Sequence, residues 1–201
     1  MMKKIILFFA LIATAASCAS EKKQANASEG NGNGSSTHVV IGGPEKTQTT
    51  HTTTASITNA EKVFLDQTNA DGSVKMFEDA LAEYKGKVIY VDFWASWCPP
   101  CRGEMPSSQK LHSQFEGKDV VFLYVSFDRA ADAWKNGIEK MDIKGVHFYP
   151  AADANQAVST KYGISGIPRY MLVDKTGKVV NQDAPRPSSG QVIAGLINQY
   201  L

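Results

Sequence analysis

The chain has 201 residues, 43% of them apolar, enough for one domain of ordinary size with or without appendages. Its 21 basic and 20 acidic residues nearly cancel, which leaves no net field to gather nucleic acid or to sort acidic from basic substrates, so binding has to be local. The 3 cysteines, Cys18, Cys98 and Cys101, are too few for a disulfide scaffold.

Lys3-Lys4 followed by apolar Ile5 to Ala16 reads as the basic and apolar regions of an export signal, too short to span a bilayer as a stable helix. The expected location is therefore the periplasm or cell envelope. Ala15-Ala16-Ser17-Cys18 resembles a bacterial lipoprotein signal, which implies that Cys18 is lipidated and anchors the chain to a membrane without spanning it. Ala15 stands where such signals usually carry an aliphatic residue, and ordinary cleavage near the small residues is the competing reading. With residues 1–18 as signal, residues 19–57 read as a disordered tether rich in Ser, Thr, Gly, Asn and Lys. On random-coil scaling its ends lie about 35 Å apart. His38 and His51 fall here without a second ligand at metal spacing and read as solvated bystanders. Val39-Val40-Ile41 has strand character, but Gly42-Gly43-Pro44 cuts it short.

The folded domain is expected over residues 58–201. Val63-Phe64-Leu65 predicts a strand, Asn69 to Gly72 a turn, and Phe77 to Tyr84 a helix with Phe77, Leu81 and Tyr84 on one face before the stop at Gly86. Val88 to Phe93 is nearly continuous apolar sequence, the mark of a central strand covered on both sides. A turn and a helix follow, then a second central strand over Val120 to Val125. Ala130 to Met141 predicts a helix with Ala130, Ala133, Trp134 and Ile138 along its inner side. Strand-helix repetition implies a parallel core with right-handed crossovers. Phe148 to Ala151 leads to a short helix near Ala154 to Tyr162. Tyr170 to Val173 and Val179-Val180 flank a turn and predict a hairpin. Ser188 is placed to cap a closing helix with Val192, Ile193, Leu196, Ile197 and Leu201 inward.

The chemistry concentrates in Val91-Asp92-Phe93-Trp94-Ala95-Ser96-Trp97-Cys98-Pro99-Pro100-Cys101-Arg102. A Cys-X-X-Cys pair is a redox couple or half of a zinc site, and no second pair or His-X-X-X-His supplies the other zinc ligands. This segment resembles the active-site signature of thioredoxin-like proteins, and its Trp-Cys-Pro-Pro-Cys form is similar to the TlpA/ResA branch of exported thiol-disulfide oxidoreductases. The resemblance spans residues 58–201 and implies an α/β thioredoxin fold, a mixed sheet flanked by helices, with an N-terminal strand extension.

Cys98 sits where a strand gives way to a helix, so unpaired amides and the helix dipole favour its thiolate, making it the nucleophile. Pro99 and Pro100 fall in the first turn, where a missing N–H costs no helical bond, and they stiffen a loop expected to border substrate. Cys101, one turn inward, is the expected resolving thiol. Asp92 matches the buried aspartate of thioredoxins, which implies proton exchange with Cys101. No lysine on the next strand pairs with it, and the competing reading is a strand-end acid facing water. Glu104 resembles the acid common in this branch just after the pair, placed either to tune Cys101 or to face solvent. Pro106 is expected to kink the helix. Ile167-Pro168 resembles the cis-proline loop that faces the cysteines, so the backbone of Ile167 would pair with an extended substrate. Trp97 is expected on the substrate face and Trp94 in the core.

These readings point to a thiol-disulfide oxidoreductase with no cofactor beyond its Cys98–Cys101 disulfide. Protein disulfides are the expected substrate, apocytochromes among them, with a membrane electron donor, no nucleic acid and a monomeric chain. A Pro-Pro insert lacks the histidine that stabilises the thiolate of strong oxidants, which favours reduction. The alternatives are an oxidase or isomerase, and a copper metallochaperone of the same fold using His147 as third ligand. A peroxidase is disfavoured, because the segment before Cys98 lacks the Pro and Thr pattern of peroxiredoxins. His147 and His112 otherwise read as partly exposed residues.

Overall fold

The computed structural model describes residues 61–201. The signal, Cys18, Val39 to Ile41, the tether and its two histidines lie outside the described residues. In chain order the elements are β1 (Lys62–Leu65), α1 (Phe77–Ala82), β2 (Val88–Trp94), α2 (Pro99–Gln114), β3 (Val120–Ser126), α3 (Ala131–Met141), β4 (Gly145–Phe148), α4 (Ala152–Tyr162), β5 (Arg169–Val173), β6 (Val179–Asn181) and α5 (Gln191–Asn198). A 3-10 turn over Pro187–Ser189 precedes α5.

The sheet has 6 strands in the order β1-β4-β3-β2-β5-β6. Strands β1, β4, β3 and β2 run parallel, β5 pairs antiparallel with β2, and β6 pairs antiparallel with β5. This is a thioredoxin-type α/β fold with one additional N-terminal strand, β1, at the edge. Every residue of β2 and of β3 is buried, as expected where helices cover both faces.

Side chains alternate between the faces. Val88, Tyr90, Trp94, Phe122 and Tyr124 meet residues of α2, α3 and α5, including Leu111, Trp134, Ile138, Ile193 and Ile197. Ile89, Val91, Phe93, Val121, Leu123 and Val125 meet Phe77 and Leu81 of α1 and Val158 of α4. Each fully buried side chain of this size contributes about 1.5–3 kcal/mol, so the two layers hold β2 rigidly where it delivers the active-site turn.

Several expectations are corrected. The segment Gly145–Phe148, for which the sequence suggested no element, is a fourth parallel strand. Gly145 opens it at φ 122, and a Cβ there would lie 2.8 Å from the Phe122 carbonyl oxygen, so glycine is required. His147 is fully buried and His112 is 5% exposed, not surface residues. The His147 ring stacks between Tyr124 and Phe64, each at 5.3 Å, and Nε2 lies 3.0 Å from the Ile143 carbonyl. His112 packs edge-on against Phe122 at 4.6 Å. Burial lowers both imidazoles to about 4, so they are neutral at physiological pH. Along α3 only Trp134 and Ile138 are buried, whereas Ala130 and Ala133 face outward. Gly190 rather than Ser188 caps α5, and Val192 and Leu201 are exposed.

Candidate active site

Strand β2 is covered through Ala95, and the chain then turns through Ser96 and Trp97 to enter α2. Cys98 is the N-cap of α2 in extended conformation, and its Sγ accepts a hydrogen bond from the Cys101 N–H at 3.2 Å. The sulfur thus occupies the place normally taken by a serine or aspartate oxygen, with the positive end of a 16-residue helix behind it. No acidic side chain stands in the first turn of α2 to compete for that field. Pro99 and Pro100 fill the first two helical positions and are exposed. Cys98 and Cys101 form a disulfide with Cα atoms 5.3 Å apart, and they are only 2% and 1% exposed. Pro106 lies inside α2, which continues past it as helix.

Across from the pair, the Ile167 carbonyl oxygen is 3.8 Å from Cys98 Sγ, and the Ile167–Pro168 peptide is cis. Both residues are half-buried and lead directly into β5. Trp97 is 58% exposed beside the pair, whereas Trp94 is sealed in the core. Backbone carbonyl, indole and disulfide therefore share one end of the sheet.

Asp92 is at the middle of β2, level with Tyr124 on β3 and Tyr170 on β5. It is 2% exposed, which rules out the reading of a strand-end acid facing water. Neither carboxyl oxygen has a hydrogen-bond partner among the described residues. Burial pushes this carboxyl well above the usual range, and the charge of Glu104 adds to the effect. Asp92 thus favours its protonated form within the layer of core that also contains Cys101, Tyr124 and Tyr170. Glu104 accepts hydrogen bonds from the Ser188 N–H at 3.0 Å and the Ser188 hydroxyl at 2.9 Å. It ties α2 to the 3-10 turn while keeping a negative charge near Asp92.

One residue that sequence reasoning missed is Asp128, at the end of β3 and 5% exposed. Its carboxylate accepts the Ser96 N–H at 3.1 Å, the Ser96 hydroxyl at 2.7 Å and the Ser126 hydroxyl at 2.9 Å. The Phe127 N–H donates to the Trp94 carbonyl at 2.7 Å. Together these bonds fasten the turn before Cys98 to the β3–α3 loop. Gly137 lets α3 come close, since a Cβ there would stand 2.7 Å from that of Ser96. Among the described residues no group of three or more His, Cys, Asp or Glu is placed to hold a metal ion, and His147 is committed to its stack on β4.

Comparison with known proteins agrees with this geometry. Residues 53–192 match the Redoxin family. The thiol-disulfide oxidoreductase ResA of Bacillus thuringiensis strain Al Hakam is 35% identical over 102 residues, covering 51% of this chain and 57% of the relative. ResA of Bacillus subtilis strain 168 is 27% identical over 121 residues, covering 60% and 63% respectively. The chain thus spans a little over half the length of these curated relatives. A crystal structure of a protein assigned as a thiol-disulfide oxidoreductase from Bacteroides vulgatus is similar with a TM-score of 0.54 and 39% identity, covering 67% of this chain and 89% of that one. The thioredoxin domain of another thiol-disulfide oxidoreductase from Bacteroides vulgatus gives 0.54 at 28% identity, covering 68% and 91%. With a family match over well beyond half its length, a thioredoxin-type fold and ResA-like relatives, the chain belongs to the Redoxin family.

Proposed function

We propose that the protein is an exported thiol-disulfide oxidoreductase that reduces disulfides of other exported proteins. The carrying observation is the Cys98–Cys101 pair at the N-terminus of α2, with the Ile167 carbonyl facing it 3.8 Å from Cys98 Sγ. In the reduced protein the Cys98 thiolate attacks a substrate disulfide, forming a mixed disulfide and releasing one substrate thiolate, which takes up a proton. Cys101 then gives its proton to a base and attacks Cys98 Sγ. The mixed disulfide breaks, the second substrate thiolate leaves and is protonated, and the protein disulfide closes. Two electrons and two protons pass to the substrate. Asp92, in its ionised form, is the buried group suited to receive the Cys101 proton, and its high proton affinity favours that transfer. The pair itself carries the electrons, so no bound cofactor is required.

The export signal and Cys18 support a lipid-anchored location, with a membrane dithiol donor restoring the reduced state and apocytochromes among the substrates. The chain acts as a monomer in this reading. Equilibration with glutathione buffers tests the direction. A potential toward the thioredoxin end, about −270 mV, fits a reductant, and one near about −120 mV would make the protein an oxidase.

A further inference from the structure

Two cavities lie along the loop that follows β3, and Asp128 and Arg129 line both. The first, about 360 Å³, is walled by Trp97, Ala130 and Ala133, with Asp128 and Arg129 at its edge. The second, about 410 Å³, continues past Arg129 toward Tyr149, Asn155 and Gln156. Asp128 belongs to both, but its carboxylate is occupied by the Ser96 and Ser126 hydrogen bonds. Arg129 is exposed and has no ion pair or hydrogen bond among the described residues. Asp132, the acid in the first turn of α3, lines neither cavity.

We infer that this notch is the specificity site for the proposed oxidoreductase, and that it takes an apolar side chain flanked by a carboxylate, next to the disulfide-bonded cysteine of the partner protein. The inference rests on the oxidoreductase reading. Its apolar half follows from Trp97, a large exposed indole facing two alanine methyls, which a Leu-sized side chain would cover. Its acidic half follows from the unpaired guanidinium at the rim, which can take a carboxylate in bidentate fashion. The notch is preformed, because the Asp128 bonds fix Ser96 on the Trp97 side and the close approach at Gly137 fixes α3 on the other. Trp97, which lines the first cavity, directly precedes Cys98 in the chain, so a substrate segment bound there is held one residue from the reacting cysteine.

The test uses the reduced full chain and short peptides whose single cysteine, held in a disulfide, is followed by Leu-Glu, Leu-Lys or Ser-Glu. Second-order rate constants for oxidation of the protein are read by tryptophan fluorescence. The Leu-Glu peptide should react roughly three- to tenfold faster than Leu-Lys, with the difference collapsing in about 1 M salt. The ratio should invert in Arg129→Glu. Filling the notch with Ala133→Phe should abolish the advantage of Leu-Glu over Ser-Glu. Equal rates for the three peptides in the unmodified chain, or a Glu/Lys ratio unchanged by Arg129→Glu, would overturn the inference while leaving the oxidoreductase reading intact. No reaction with any of the peptide disulfides would overturn both.

Discussion

Replacing Asp92 by Asn removes a titrating group from a site that offers its carboxyl no partner, and the consequence has a definite sign. A carboxyl ordinarily titrates near 3.8, whereas burial raises that of Asp92 well above this value. Between the two values the folded chain holds a proton that the unfolded chain has lost, so the native state loses stability as pH rises. The contribution is intact below the unfolded value and disappears progressively toward the folded one. Each pH unit inside the window costs about 1.4 kcal/mol. Asn does not titrate, so the stability of Asp92→Asn relative to the unmodified chain should rise with pH between 5 and 7, by at most that amount per unit. For a domain of this size each kcal/mol of relative gain corresponds to roughly 2–4 °C in Tm. Any constant cost of burying the amide cancels, because only the change with pH is read. Urea unfolding of both oxidised proteins at pH 5, 6 and 7 measures the gap. The same variant should exchange disulfides about 100-fold more slowly, through loss of the proton acceptor. A gap that stays constant across this pH range would refute the raised proton affinity and the role built on it.

Glu104→Gln removes the charge that helps raise Asp92, so the decline of stability with pH should end at a lower pH, with a further loss of about 1 kcal/mol from weakened bonds to Ser188, read in the same titration. His147, held at about 4 by burial, makes the native state lose stability as pH falls from 6.5 toward 4. His147→Phe should remove about 3 kcal/mol of that acid loss, visible as a flatter curve of urea midpoint against pH. Gly137→Ala gains helix propensity but sets a methyl 2.7 Å from Ser96 Cβ, and should destabilise by about 1–3 kcal/mol in urea unfolding. A more stable variant would show that α3 can give way there.

The active-site end of the sheet was readable because its signals are local. The apolar run of β2, the cysteine pair with its prolines, and Ile167-Pro168 each announce themselves within a few residues. What escaped depends on contacts between distant segments. Strand β4 is short and carries His147, and only the rings of Tyr124 and Phe64 on the flanking strands turn that imidazole into core. Helical spacing put Ala130 and Ala133 with Trp134, yet methyl groups give a weak signal, and both ended outside on the wall of the notch. Ser188 has the chemistry of a cap, but Glu104, far away in sequence, binds its N–H and hydroxyl. Asp128 was invisible for the same reason. A serine two residues before an aspartate at a strand end suggests a local turn, but nothing in the sequence connects it to Ser96.

The most direct test of the central claim is a trapping experiment with Cys101→Ser in the native host. Without the resolving thiol, Cys98 should accumulate as mixed disulfides with exported proteins, visible as high-mass species that collapse on reduction and vanish when Cys98 is also replaced. Absence of such adducts, with Cys98 recovered as a free thiol, would contradict the assignment of Cys98 as the nucleophile of a thiol-disulfide oxidoreductase.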